Sequence, residues 1–89
     1  EVSPSRGTLS GSNKELELTK NEMLIFQHLL NNQNRIVSRD ELMTILWNNE
    51  EYINDNALTV NISRLRSKLE GFGYPNAIET RKGQGYILL

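Results

Sequence analysis

The chain has 89 residues, of which 37% are hydrophobic and 24% charged, with a formal net charge of −1. That length builds one core rather than two and leaves little room for an enclosed cofactor pocket, and the composition is that of a folding chain, not a disordered one. Cysteine is absent, so disulfide frameworks and thiolate metal sites are excluded. No apolar run reaches the ~18 residues of a membrane span and no signal-peptide pattern opens the chain, so the expectation is a cytoplasmic protein without cofactor, metal or membrane partner.

The charge is unevenly placed. Glu1 to Asp55 carries five Lys/Arg against nine Asp/Glu, a net −4, whereas Asn56 to Leu89 carries five against two, a net +3. An acidic body with a basic C-terminal face can orient itself on a polyanion, although so modest a local charge implies a weak grip for a single copy.

Residues 1–14 are rich in Ser, Gly and Thr and read as a linker remnant or partial N-terminal β segment, with the folded unit over 15–89. Arg6 to Ser10 and Glu15 to Leu18 flank Gly11-Ser12-Asn13, which permits a short hairpin in which Leu16 and Leu18 alternate with Glu15 and Glu17. A first helix then starts at Thr19 as N-cap, with Glu22 as its capping-box partner and Leu18 and Met23 as a hydrophobic staple. Met23, Ile25, Phe26, Leu29 and Leu30 form its inward stripe, and Asn31-Asn32-Gln33-Asn34 ends it with poor helix formers.

A second capping box is expected from Ser38 and Glu41, with Val37 and Leu42 as staple, opening a short helix to about Trp47. Leu42, Ile45 and Leu46 are its core residues. Ser38 and Arg39 stand at its amino end, where free N–H groups and the dipole favour a phosphate. Asn48 to Asp55 is too polar for core and reads as a shaped loop, with Asn54 or Asp55 capping a third helix.

That third helix, 56–69, is the most informative segment. At ~100° per residue, Leu58, Ile62, Leu65 and Leu69 share one stripe, which must be the buried one. Asn56, Val60, Ser63, Arg64 and Ser67 lie opposite, flanked by Thr59 and Arg66 on one side and Asn61 and Lys68 on the other. Such a face suits a DNA major groove, because it offers forked Arg donors, Asn amides, small hydroxyls and one apolar Val for a thymine methyl. The competing reading is a solvated amphipathic helix. After Gly71 and Gly73, a hairpin runs from Ile78 to Arg81, turns over Lys82-Gly83-Gln84-Gly85, and returns through Tyr86 to Leu89. Three helices and a terminal β-ribbon with basic residues at its tip give an α+β, winged helix-turn-helix architecture with a short N-terminal antiparallel segment.

Within this frame Arg64 is the strongest candidate for a base contact, as a forked Arg on guanine, and a solvated helix charge is its competing fate. Arg66, nearer the core edge, suits phosphate, with an internal salt bridge as its alternative. Val60 fits a thymine methyl or is simply an exposed Val. Arg81 and Lys82 fit a narrow groove with its negative potential, against an ordinary turn. His28, the sole histidine, has no acidic or Cys partner at ligand spacing and reads as a helix-surface residue. Trp47 is expected to plug the core beneath the loop, with its indole N–H in reach of a phosphate. Glu50-Glu51 and Glu15/Glu17 lack an enclosed site, nucleophile or metal, and Lys82-Gly83-Gln84-Gly85 lacks the spacing of a phosphate-binding loop, so no catalytic residue is assigned and no enzyme is expected.

From Leu16 to Leu89 the chain resembles the DNA-binding effector domain of OmpR/PhoB-type response regulators of bacterial two-component systems. The resemblance rests on Leu18-Thr19-x-x-Glu22, on Val37-Ser38-Arg39-x-x-Leu42, on Leu46-Trp47, on Val60 to Leu69 (VNISRLRSKL), and on Thr80 to Tyr86 (TRKGQGY). It implies a recognition helix at 56–69 and a wing at 78–89 reaching the minor groove. The loop at 48–55 becomes a transactivation loop facing RNA polymerase through Asn48, Asn49, Glu50, Glu51 and Tyr52. The implied DNA set is Ser38, Arg39, Trp47, Asn56, Thr59, Val60, Asn61, Ser63, Arg64, Arg66, Ser67 and Lys68, with Thr80, Arg81 and Lys82 on the wing.

Where relatives often carry a basic residue, His and Arg, this chain has Asn56, Asn61 and Ser63, which implies fewer phosphate clamps and a different base preference. Relatives also have a four-stranded sheet before the first helix, about half of which Thr8 to Leu18 can supply. Implied partners are promoter DNA with repeated half-sites bound by a dimer, monomeric when alone, and RNA polymerase. A receiver domain, absent from these 89 residues, and its sensor histidine kinase complete the set. The Leu-Thr-Lys-Asn-Glu-Met wording, Leu18 to Met23, looks most like Gram-positive regulators that answer bacitracin-like or lantibiotic peptides. A winged-helix protein-interaction module without DNA binding is the alternative, favoured by the net charge and by Asn56 and Ser63.

Overall fold

A computed structural model describes residues 2–3, 7–11, 14–48 and 54–89. The order is β1 (Val2–Ser3), β2 (Thr8–Gly11), β3 (Lys14–Glu17), α1 (Lys20–Asn31), α2 (Arg39–Asn48), α3 (Asp55–Gly71), β4 (Ile78–Arg81) and β5 (Gly85–Leu88). The N-terminal strands form an antiparallel sheet in the order β1-β2-β3, and β4 and β5 form a separate antiparallel pair. The amino-terminal segment thus has one strand more than its sequence pattern indicates, and Gly11 belongs to β2, opposite Lys14, instead of to the turn. Leu9 of β2 is buried in the core, so this stretch packs and does not merely connect.

Each helix start has a local cause. Thr19 caps α1 through a reciprocal box: the Glu22 amide donates to Thr19 Oγ1 (3.2 Å) and the Thr19 amide to Glu22 Oε1 (2.8 Å). Leu18 and Met23 are both buried, as a staple requires. At α2 the box is only half made. The Glu41 amide donates to Ser38 Oγ at 3.1 Å, but the Glu41 carboxylate turns away to His28 and Arg35, because a cationic partner competes better for a carboxylate than a single amide does. Asn54, not Asp55, caps α3, accepting from the Ala57 amide at 2.8 Å.

Helix α1 is the centre of the molecule and touches α2, α3 and β5. Ile25, Leu29, Leu42, Leu46, Leu58 and Leu65 are fully excluded from solvent, with Ile62, Leu69 and Ile78 close behind, while Leu30 stays half-buried at the edge of the stripe. The hairpin β4–β5 is seated by a bridge between Val37 and Tyr86, whose amides and carbonyls pair at 2.8 and 2.9 Å. Gly85 makes that seat possible. Its φ is +145°, and a Cβ there would stand 2.0 Å from the Val37 carbonyl oxygen, so a side chain cannot be accommodated.

Candidate nucleic-acid interface

The burial of Leu58, Ile62, Leu65 and Leu69 turns the opposite side of α3 outward. Asn56, Thr59, Val60, Ser63, Arg64 and Ser67 are all exposed, and Val60 keeps 43% of its surface, so an apolar group and a guanidinium project from one continuous polar strip. Asn61 is half-buried and spends its amide on its own helix, donating to the Ala57 carbonyl at 2.8 Å.

A second cluster forms beside this strip. The amino end of α2 and the hairpin line a cleft of about 450 Å³ that gathers Ser38, Arg39, Thr80, Arg81, Lys82 and Tyr86. In sequence these residues come from two segments some forty positions apart. Arg39 spans the cleft: it donates to the Tyr86 hydroxyl, stacks 5.8 Å from the Tyr86 ring centre, and donates to Thr59 Oγ1 of α3 at 3.0 Å. Tyr86 is the member that sequence reasoning left out of the site. Its signal was an aromatic directly after the glycine at the base of a basic hairpin. On the wing Arg81 pairs with Glu79 at 3.3 Å, both about half exposed, a contact weak enough to be exchanged for another anion.

Two more expected members are used inside the molecule, and a third stands elsewhere than expected. Lys68 reaches back to α1, its Nζ 2.5 Å from Oε1 of the buried Glu22, so its ammonium serves the core and not the outer face. Arg66 donates through Nε to the Ile78 carbonyl (3.2 Å) and through Nη2 to Thr80 Oγ1 (2.8 Å), hydrogen bonds to the wing in place of the salt bridge that was its alternative. Trp47 is 60% exposed and does not plug the core. Leu42 and Leu46, one turn apart, already fill the α2 contact, and the next residue is rotated by ~100° out of it. Of the loop, Asn48 is the last residue of α2, and Asn49, Glu50, Glu51 and Tyr52 lie outside the described residues.

His28 also differs from its surface expectation. Its Nε2 pairs with Glu41 Oε2 across the α1–α2 contact, with Arg35 Nη2 at 3.4 Å from the same oxygen. The His28 hydrogen bond holds the Glu41 carboxyl below its ordinary value; burial opposes it, and the charges of His28 and Arg35 add to the lowering. Sequence spacing could not show this pair, since the partner lies 13 residues away on another helix. Among the described residues no group of three or more His, Cys, Asp or Glu side chains is placed to hold a metal ion, and no helix is long and apolar enough to cross a membrane.

Comparison with known proteins agrees with this fold. Residues 13–88 match the family model "Transcriptional regulatory protein, C terminal". The sensory transduction protein BceR of Bacillus subtilis is 48% identical over 86 residues, 97% of this chain and 37% of BceR. The response regulator protein GraR of Staphylococcus epidermidis is 44% identical over 86 residues, again 97% of this chain and 38% of GraR. The chain therefore spans less than two fifths of these relatives. Among solved structures, the C-terminal domain of the nisin resistance regulator NsrR, a lantibiotic response regulator, superposes with a TM-score of 0.84 at 38% identity, over 93% of this chain and 84% of that one. The DNA-binding domain of the response regulator AdeR, solved in complex with an intercistronic region, superposes with a TM-score of 0.82 at 26% identity, over 99% and 91%. This chain belongs to the transcriptional regulatory protein, C-terminal family, the OmpR/PhoB-type winged-helix output domain of response regulators and a family of DNA-binding regulators, not enzymes.

Proposed function

We propose that this chain reads double-stranded promoter DNA, with α3 in the major groove and the β4–β5 wing at the minor groove. The observation that carries the reading is the outward strip of α3, on which Asn56, Val60, Ser63, Arg64 and Ser67 stand exposed directly behind a fully buried leucine face. In this scheme Arg64 forks onto guanine, Val60 meets a thymine methyl, and Asn56, Thr59, Ser63 and Ser67 supply adaptable polar contacts. Ser38 and Arg39, at the α2 amino end, and Trp47 at its other end address phosphates, and Thr80, Arg81 and Lys82 address the narrow groove. Asn61, Arg66 and Lys68, whose polar groups are engaged within the protein, shape the reading surface rather than extend it.

The names of BceR, GraR and NsrR support a wider setting. In it the chain is the cytoplasmic output domain of a response regulator for antimicrobial-peptide resistance, governed by a receiver domain and a sensor histidine kinase. Two copies bind repeated half-sites, because one module of this size buries limited surface and this one brings little net charge, and the domain is monomeric when alone. Residues 48–55 face RNA polymerase.

The test is Arg64→Ala, measured on a duplex selected from a random-sequence pool by the wild-type chain and on unselected duplex. We expect affinity for the selected duplex to fall by about 1–3 kcal/mol, with a much smaller loss on unselected DNA. Equal loss on both would reduce Arg64 to a phosphate contact. The net charge of −1 favours a second reading, a protein-interaction module. Salt separates the two: DNA binding weakens steeply as salt rises, and a largely apolar protein contact does not.

A further inference from the structure

A two-stranded ribbon is marginal by itself, so where β4–β5 points is decided by what holds its base. On the β5 side that is the Val37–Tyr86 bridge and the Asn34 amide, which donates to the Leu88 carbonyl at 2.8 Å, together with Arg39. On the β4 side Arg66 joins α3 to the strand, at the Ile78 carbonyl and at Thr80 Oγ1. The fork is rigid and planar, and its two bonds reach a carbonyl and a hydroxyl two residues apart along β4, so they fix both the distance of the strand from α3 and its tilt. Thr80 and Arg81, at the tip end of β4, are assigned to the minor groove together with Lys82.

We infer that Arg66 is a positioning residue: it sets the angle between recognition helix and wing, and thereby the spacing between the major-groove and minor-groove contacts that the domain can make at once. It acts on DNA through Thr80 and not by neutralising a phosphate. The inference rests on the DNA-binding reading for its consequence, but the brace itself exists in the free protein. Lysine is not an equivalent, since an ammonium on a flexible stem keeps the charge and loses the paired, planar donors.

The test has one arm without DNA and one with it. In the free 89-residue chain, backbone 15N relaxation compares wild type with Arg66→Met, Arg66→Lys and Thr80→Val. Lower order parameters over residues 79–85 in all three, with the α3 amides unchanged, are expected; a wing as rigid as wild type in Arg66→Met overturns the brace whether or not the chain binds DNA. On the duplex selected by the wild-type chain, Arg66→Met is expected to bind about tenfold more weakly and to lose hydroxyl-radical protection at the wing edge of the footprint. Its dependence of log K on log salt stays that of wild type, and Arg66→Lys does not restore the lost affinity. A phosphate contact gives the opposite pattern: the salt slope falls by about 0.9, the wing footprint persists, and Arg66→Lys rescues. If the wild-type chain selects no duplex, the DNA reading fails and the relaxation arm still decides the brace.

Discussion

Glu22 and Lys68 show how a single pair can shift a residue from one role to another. The Glu22 carboxylate has no exposed surface, and its Oε1 accepts both the Thr19 amide and, at 2.5 Å, the Lys68 ammonium. A charge so placed must have a partner, and α3 supplies it from the flank of its recognition face. Lys68→Met should therefore destabilise the fold by about 2 kcal/mol, less than for a fully buried pair because Lys68 keeps 35% of its side-chain surface. Urea denaturation measures this, and the salt slope of DNA binding should stay unchanged; a lower slope with intact stability would put Lys68 back on the DNA. At Gly85 the constraint is steric: Gly85→Ala forces a Cβ against the Val37 carbonyl, and the wing amides should lose their hydrogen-exchange protection before the helices do.

Between elements, the contacts that matter are caps and cross-helix pairs. The α1 box is reciprocal and the α2 box half made, so Thr19→Ala should cost about 1 kcal/mol and Ser38→Ala less. A smaller midpoint shift for Thr19→Ala than for Ser38→Ala in urea would reverse that reading. The α1–α2 contact carries the pH dependence. Because His28 and Arg35 lower the Glu41 pKa, folding gains stability from this group at pH values above 4.5, its ordinary value, and loses it as pH falls from there through the lowered value. Melts of wild type and Glu41→Gln should thus differ at pH 6 and converge in acid; a gap that stays constant with pH would sink the assignment. The cap at Thr19 was legible in sequence because capping is local. The loss of Glu41 from its own box was not, because its competitor sits on another helix.

At the scale of the whole molecule, the polar face, the cleft and the wing converge because α1 lies under all of them. The N-terminal sheet adds to that support, since Leu9 enters the core and β2 pairs with β3 across four residues. A chain truncated to 15–89 should unfold at a lower urea concentration than the full 89 residues, by the loss of a buried leucine worth about 2 kcal/mol or more. An unchanged midpoint would return residues 1–14 to the status of a linker.

The amino-acid sequence alone determined the three helices, the inward leucine stripe of α3, the hairpin and the family, because periodicity, caps and motif spacing are short-range properties that need no knowledge of the rest of the chain. Only the tertiary structure decided the fate of the polar residues. Arg66 serves the wing, Lys68 serves Glu22 and His28 meets Glu41, and each outcome depends on which groups distant in sequence the packing brings within hydrogen-bond range. A charged side chain on a helix flank reaches several ångströms in any of several directions, and a partner in space, invisible to spacing, chooses among them.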